Sequence, residues 1–479
     1  MVRQARGSAA HGTDARTLPS AAGRLSVLFA AALAACAPDS TPPTAEASPE
    51  VPRVPIDEYA TRRQAMLATL PDGILLLHAR ATEKSMEQWG FVQDPTFLYF
   101  SGLPEAPAAI LALDGPAGSA HLFLPPPPAS FGMQVEDLTP PTGPETAERY
   151  GFDSARSWDD FVPWVEGRLA DGVRTLYVDE SRNPEPRGVP SPMPPVAGPR
   201  TLWQASLEAT FPAARIVSAK RAITEQRSVK SDHEVRILED NARTTAYALL
   251  AVARRLEPGV RQRETESTVV AACLDEGGEG PSFWPWTMSG PNAHVGHLVE
   301  AFFRYDQGNR DALPGELVRV DIGCAGGLYG ADVGRTLPVS GRFTPGQAEA
   351  WDLLVAGYRA GLEAMAHGVP VRDVRAASIE AVRAAEPSLK TDEGRAAAAT
   401  ILGGGESTWH IHGVGIDSGE DLPEVLRSGM VVAYEPGFSI GEDAYYLEDM
   451  VLVTEGGHRV LSTGLPYTAT EITAVMGGG

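Results

Sequence analysis

The chain has 479 residues, 43% of them apolar, and a formal net charge of −22. So acidic a surface argues against nucleic acid as a partner and against broad adhesion to anionic lipid. The length exceeds one ordinary hydrophobic core, so two domains are expected, and the apolar content is ample for both.

At the N-terminus, Arg3, Arg6, Arg16 and Arg24 precede the apolar stretch LSVLFAAALAA, which is too short to span a bilayer and runs into Leu33, Ala34, Ala35 and Cys36. Residues 1–35 read as an export signal. The Leu-Ala-Ala-Cys run resembles a bacterial lipobox, which implies cleavage before Cys36, lipidation of its thiol, and a membrane-anchored protein facing the periplasm or the cell exterior. An ordinary secretory signal with an incidental cysteine is the alternative, and it too exports the protein. Residues 36–56 are rich in Pro, Ser and Ala without apolar periodicity, as expected of an extended tether.

Residues 57–218 mix a helical pattern (EYATRRQAMLATL) with short apolar runs (GILLLHA, AAILALDG, AHLFLP, RTLYVDE), which predicts an α/β layer domain. Pro-rich surface loops are expected at 125–128 and 189–199. No nucleotide-binding Gly motif follows these strands. Ser231-Asp232-His233-Glu234 forms a capping box ahead of an amphipathic helix to about Leu256, the expected entrance to a second domain over residues 219–479. Thr344-Pro345-Gly346-Gln347 caps a further helix reaching about Ala366.

The chemistry lies in the last third. Asp321 sits at the end of the apolar run LVRVD, and Asp332 follows eleven residues later beyond a Gly-rich turn, a spacing that suits two adjacent antiparallel strands. Glu435 closes GMVVAYEPG, Glu448 lies in YYLEDMVLV, and His412 in WHIHGVGID supplies one nitrogen. An acid carried into the interior by an apolar strand needs a cation or a hydrogen-bond network. Four carboxylates and one imidazole make a hard, oxygen-dominated set that can neutralise two divalent ions, Mn²⁺ first, with Fe²⁺, Co²⁺ or Zn²⁺ by availability. His410, two residues before His412, points to the same strand face. Cys273 and Cys324 are expected as buried free thiols, because a large domain with two such residues does not depend on a disulfide framework.

The segments SGPNAHVGH, VRVDIG, GADVGRT, HGVGID, VVAYEPGF and LEDMVLVT, in that order, resemble the pita-bread metallopeptidases that include aminopeptidase P, prolidase and creatinase. Upstream, RRQAMLATLPDGILLLHA and FVQDPTFLYFSGLPEAPAAILAL resemble the N-terminal domain of aminopeptidase P. The resemblance implies a mixed α/β (α+β) chain, with a creatinase-like α/β domain followed by a curved antiparallel sheet covered by helices. It implies that Asp321 binds one metal, that Asp332 and Glu448 bridge two, and that His412 and Glu435 complete the second, with Glu435 also shuttling protons. It also implies that His297 faces the substrate near the scissile bond, with His294 as its local competitor. The expected activity is hydrolysis of an N-terminal Xaa-Pro bond in proline-containing peptides, through a hydroxide shared by two metals. A dipeptide-specific prolidase and a metal-holding, peptide-binding lipoprotein with little turnover are the alternatives. A homodimer is common among such proteins. The chain departs from the pattern in three places: Gly419 replaces a second substrate-facing histidine, Tyr446 stands where arginine is common, and LVEAFFRYDQGNR is inserted after His297.

Overall fold

The computed structural model describes residues 53–81, 92–126, 129–130, 133–134, 139–179, 199–294 and 308–477. The expected signal, Cys36, residues 36–52 of the expected tether, His297, half of the Pro-rich loop at 125–128 and nearly all of that at 189–199 lie outside the described residues; the last tether residues belong instead to the fold, with Val54 buried in the core and Ile56 opening the first helix. Among those described, no helix is long and apolar enough to cross a membrane.

The first layer begins with α1 (Ile56–Leu67), β1 (Gly73–His78), α2 (Pro95–Ser101), β2 (Ile110–Asp114) and β3 (Ser119–Leu124). It continues with α3 (Pro144–Tyr150), β4 (Ser154–Ser157), α4 (Phe161–Ala170), β5 (Thr175–Val178), α5 (Pro199–Thr210) and β6 (Arg215–Ser218). The six strands form one mixed sheet in the order β4-β3-β2-β1-β5-β6. The run Ile74-Leu75-Leu76-Leu77 is apolar throughout because both of its faces are covered. Leu75 and Leu77 join Phe97 and Phe100 of α2, whereas Ile74 and Leu76 join Phe161 and Val165 of α4 and Leu207 of α5.

Helix α6 (Lys220–Ser228) leads into α7 (Asp232–Arg255), whose N-cap is the predicted capping box: Ser231 accepts from the Glu234 amide and Glu234 accepts from the Ser231 amide. Next come α8 (Gln262–Asp275), β7 (Gly280–Pro281), β8 (Trp286–Ser289), β9 (Leu317–Ile322), β10 (Cys324–Ala325) and β11 (Val333–Pro338). Helices α9 (Pro345–Ala364), α10 (Val371–Ala385) and α11 (Asp392–Gly404) follow, then β12 (Trp409–Gly413), β13 (Val431–Ile440), β14 (Asp443–Thr454), β15 (Gly457–Val460) and α12 (Ala469–Gly477). The cap of α9 is the second predicted box, Thr344 with Gln347.

The second sheet runs β8-β9-β11-β14-β13-β12, with β15 added beside β14, and every pairing is antiparallel. Alternation along its strands separates a helix-covered face from a polar one. On β9, Val318, Val320 and Ile322 enter the core with Leu249 of α7, while Arg319 and Asp321 take the opposite face. On β14, Leu447 and Val451 enter the same core. Between them Asp449, fully buried, accepts from Arg335 Nη2 at 3.0 Å, Tyr358 at 2.7 Å, Ser462 at 2.6 Å and Tyr467 at 3.0 Å.

One expectation is corrected here. Cys273 and Cys324 are not free thiols but are joined as a disulfide, 51 residues apart in sequence. The loop after β9 folds back as β10 to pair with β7, and this brings Cys324 against the end of α8. That excursion is invisible to hydrophobic periodicity.

Candidate metal centre

Strand pairing gathers the five predicted ligands. Asp321 lies opposite Gly334 on β11, and Gly334 lies opposite Glu448 on β14, so the two acids share one row across three strands with a glycine between them. Asp332 immediately precedes β11. His412 on β12 and Glu435 on β13 come from the adjoining pair, where His410 is directly opposite Glu435. His412 Nε2 lies 3.1 Å from Glu435 Oε1, 3.8 Å from Asp332 Oδ2 and 3.9 Å from Glu448 Oε1. Its Nδ1 faces the Gly413 carbonyl at 2.9 Å, which turns Nε2 toward the acids.

The donor set fits divalent metal. Asp332, His412 and Glu448 offer ligand atoms within 4.8 Å of one another, as do His410, His412 and Glu435. Asp332 Oδ1 and Glu448 Oε1 are buried without a hydrogen-bond partner, a costly arrangement for protein alone and the ordinary one for oxygens aimed at a cation. Burial, reinforced by neighbouring carboxylates, pushes Asp332 and Glu448 well above the usual range, and burial also raises Asp321 despite Arg319. Burial would raise Glu435 too, but hydrogen bonds from His410 and His412 hold it below the usual range. Burial opposes protonation of His412, yet Glu435 and Asp332 lift it to about 9. Cations are therefore what this pocket favours.

Two residues outside the predicted ligand set reach the centre. Tyr446, two positions before Glu448 on the same strand face, places its hydroxyl 2.7 Å from Glu435 Oε2 and 2.8 Å from Glu448 Oε2. Arg319, two positions before Asp321, donates from Nη2 to Asp321 Oδ2 at 2.7 Å and stacks its guanidinium 3.8 Å from the Tyr446 ring centroid. An arginine inside the apolar run LVRVDI was the available sequence signal, since a buried charge implies a partner. Gly334 makes room for the ring: a Cβ there would lie 2.2 Å from Tyr446. Trp286, half-buried on β8, is directly opposite Asp321.

Of the remaining predicted positions, His294 is half-buried at the end of a short 3₁₀ turn and is not among the grouped ligand donors. His410 shares the face of His412, as expected, and bonds Glu435 through Nδ1 while remaining exposed. Gly419 is exposed, and a Cβ built there meets nothing within 4 Å. The adjacent Glu420 is buried between Arg227 Nη2 at 2.6 Å and Lys230 Nζ at 2.9 Å, and its backbone bonds Gly413 in both directions.

Comparison with known proteins agrees with this architecture. Residues 236–455 match metallopeptidase family M24, and residues 59–177 match the aminopeptidase P N-terminal domain. The chain is 25% identical to the Xaa-Pro aminopeptidase of Haemophilus influenzae, over 88% of this chain and 98% of that one. It is 34% identical over a shorter stretch to Xaa-Pro aminopeptidase 2 of Streptomyces coelicolor, covering 34% of this chain and 40% of the relative. The aminopeptidase PepP structure of Pseudomonas aeruginosa superposes with a TM-score of 0.71 at 24% identity, over 89% of this chain and 99% of that one. A zinc-substituted Escherichia coli aminopeptidase P in complex with product gives 0.69 at 21% identity, with the same coverages. The chain is a metallopeptidase that resembles aminopeptidase P, with residues 236–455 matching metallopeptidase family M24.

Proposed function

We propose that the protein is a metal-dependent exopeptidase that removes the N-terminal residue from peptides whose second residue is proline. The observation that carries the reading is the convergence of Asp332, His412, Glu435 and Glu448, with Asp321 in the same strand row as Glu448 and two buried carboxylate oxygens left open. Similarity to Xaa-Pro aminopeptidases over nearly the whole of their length supports the substrate class. Asp321, Asp332 and Glu448 would hold one ion and Asp332, Glu448, His412 and Glu435 a second, Mn²⁺ being our assignment. Bound there, divalent ions supply Lewis acidity toward the scissile carbonyl. Glu435, beside exposed His410, would take a proton from attacking water and pass it to the departing amine. His297 is proposed as a hydrogen-bond donor to the substrate.

Residues 57–218 and 219–479 are proposed as the two domains, behind a signal over 1–35 and a tether over 36–56. The disulfide supports export, because such bonds persist in oxidising compartments. Lipidation of Cys36 would then anchor the protein, and Cys36→Ala should move it from the membrane to the soluble fraction. A homodimer is proposed by analogy and is read by light scattering. The decisive experiment is metal analysis coupled to a panel of Xaa-Pro peptides of increasing length. Cleavage of tripeptides and longer peptides supports the aminopeptidase. Cleavage of dipeptides alone makes it a prolidase, and two bound metals without turnover make it a binding protein, which the glycine at 419 would favour.

A further inference from the structure

We propose that Arg319 and Tyr446 act together as a positioning pair that decides which oxygen of each carboxylate faces the metals. The inference rests on the dinuclear reading above. The Tyr446 hydroxyl takes Oε2 of Glu435 and Oε2 of Glu448, while Oε1 of both residues is turned toward His412. Glu448 Oε1 is the buried, partnerless atom. Arg319 takes Oδ2 of Asp321 in the same way. Asp321, Glu435 and Glu448 therefore each have one oxygen committed to the pair; the other oxygen of Glu448 is open to a cation, and that of Glu435 faces His410 and His412.

The pair is a single mechanical unit. Tyr446 is 3% exposed and Arg319 is 8% exposed, and the guanidinium carbon lies over the ring, 3.8 Å from its centroid. Behind them Thr336 Oγ1 accepts from the Tyr446 amide at 2.8 Å, which fixes the strand carrying the phenol. Gly334 and Gly437 flank the ring, where a Cβ would approach it to 2.2 and 3.2 Å. Arg319 Nε has no partner, so hydrogen bonding alone does not explain why this guanidinium is buried; its ion pair with Asp321 and its stack on Tyr446 do. Partners of metal ligands orient those ligands, and their loss ordinarily weakens metal affinity about 10- to 100-fold. A phenol that holds two glutamates and an arginine that holds an aspartate limit those carboxylates to one oxygen each toward the metals.

The test is Co²⁺ titration of the chelator-treated full chain, followed by visible absorption and elemental analysis, for the wild type, Tyr446→Phe, Arg319→Lys, Arg319→Met and the double variant Arg319→Met with Tyr446→Phe. Tyr446→Phe removes one oxygen atom and keeps the ring, so it should fold; thermal unfolding of the metal-free protein checks each variant. We expect Tyr446→Phe to weaken Co²⁺ binding about 10- to 100-fold and to alter the visible band as Oε2 of Glu435 and Oε2 of Glu448 lose their phenol partner. Arg319→Lys should lose less than Arg319→Met. The double variant should lose less than the product of the single losses, because each partner needs the other. Two Co²⁺ bound by Tyr446→Phe with wild-type affinity and spectrum overturns the pair and leaves the metal centre standing. No Co²⁺ bound by the wild type overturns both.

Discussion

Replacing Glu420 with glutamine removes the buried anion that bridges Arg227 and Lys230 while changing almost no volume. Burial by itself would raise this carboxyl, but the two cations overcome it and hold it at about 2 against an ordinary 4.5. Such a displacement corresponds to about 3 kcal/mol of folding stability at neutral pH. Breaking a buried ion pair from one side gives a similar figure, about 3–5 kcal/mol, because the partner charges stay behind without compensation. Two other anions act on Arg227 among the described residues: Asp417, at 3.7 Å and 39% exposed, is too solvated to replace Glu420, and half-buried Asp179 reaches Arg227 only through Thr96. The sign follows from the depressed value: the contribution is complete above pH 4.5 and is lost as pH falls toward 2. Denaturant unfolding of the wild type and Glu420→Gln should therefore show a gap of about 3 kcal/mol at pH 7 that narrows to roughly 2 kcal/mol at pH 3.5. The Glu420 backbone holds Gly413, and the Gly413 carbonyl orients His412, so metal affinity should fall about tenfold as well. A gap below 1 kcal/mol at pH 7, or one that does not change with pH, would refute the reasoning.

Asp332→Ala should abolish activity and metal loading together, since Asp332 Oδ1 and Oδ2 both face the centre; elemental analysis returning two metals per chain would remove Asp332 from a bridging role. Gly419→His has open space for its side chain and should raise turnover on Xaa-Pro peptides by up to about 10² with a smaller change in KM, the pattern of a donor needed as charge develops. Steady-state kinetics that show a change in KM alone would contradict this. Replacing Cys273 and Cys324 with serine should lower stability by up to about 4 kcal/mol from lost loop closure over 51 residues, read by unfolding with and without reductant.

The proposed metal ligands were legible because each is an acid or imidazole on or beside an apolar strand, and because period-two alternation decides which residue of a strand faces which layer. Glu448 rather than Asp449 faces the candidate metal centre for that reason, although the two are adjacent and both buried. The capping boxes at Ser231 and Thr344 were legible for a local reason, each being complete within four residues. What escaped was what depends on contacts distant in sequence. The ion triad of Arg227, Lys230 and Glu420 spans about 190 residues, with nothing in either segment naming the other. The disulfide needed the β10 excursion to bring Cys324 to α8. Tyr446 was noticed as a departure, but its use depends on Gly334 two strands from Asp321's neighbour Trp286, which only the sheet order reveals.

Glu448 and its neighbour Asp449 place two incompatible demands on one strand. The first needs an open cation-binding face, and the second needs the closed nest of Arg335, Tyr358, Ser462 and Tyr467. A slip of β14 by one residue would exchange them, turning the proposed ligand into the helix layer and the anchor toward the candidate metal centre. Each error would be felt twice, once as an unpaired Arg335 and once as a defective ion site. Alignment of this strand is thus proofread from both sides of the sheet, and a chain that has seated Asp449 has already aimed Glu448.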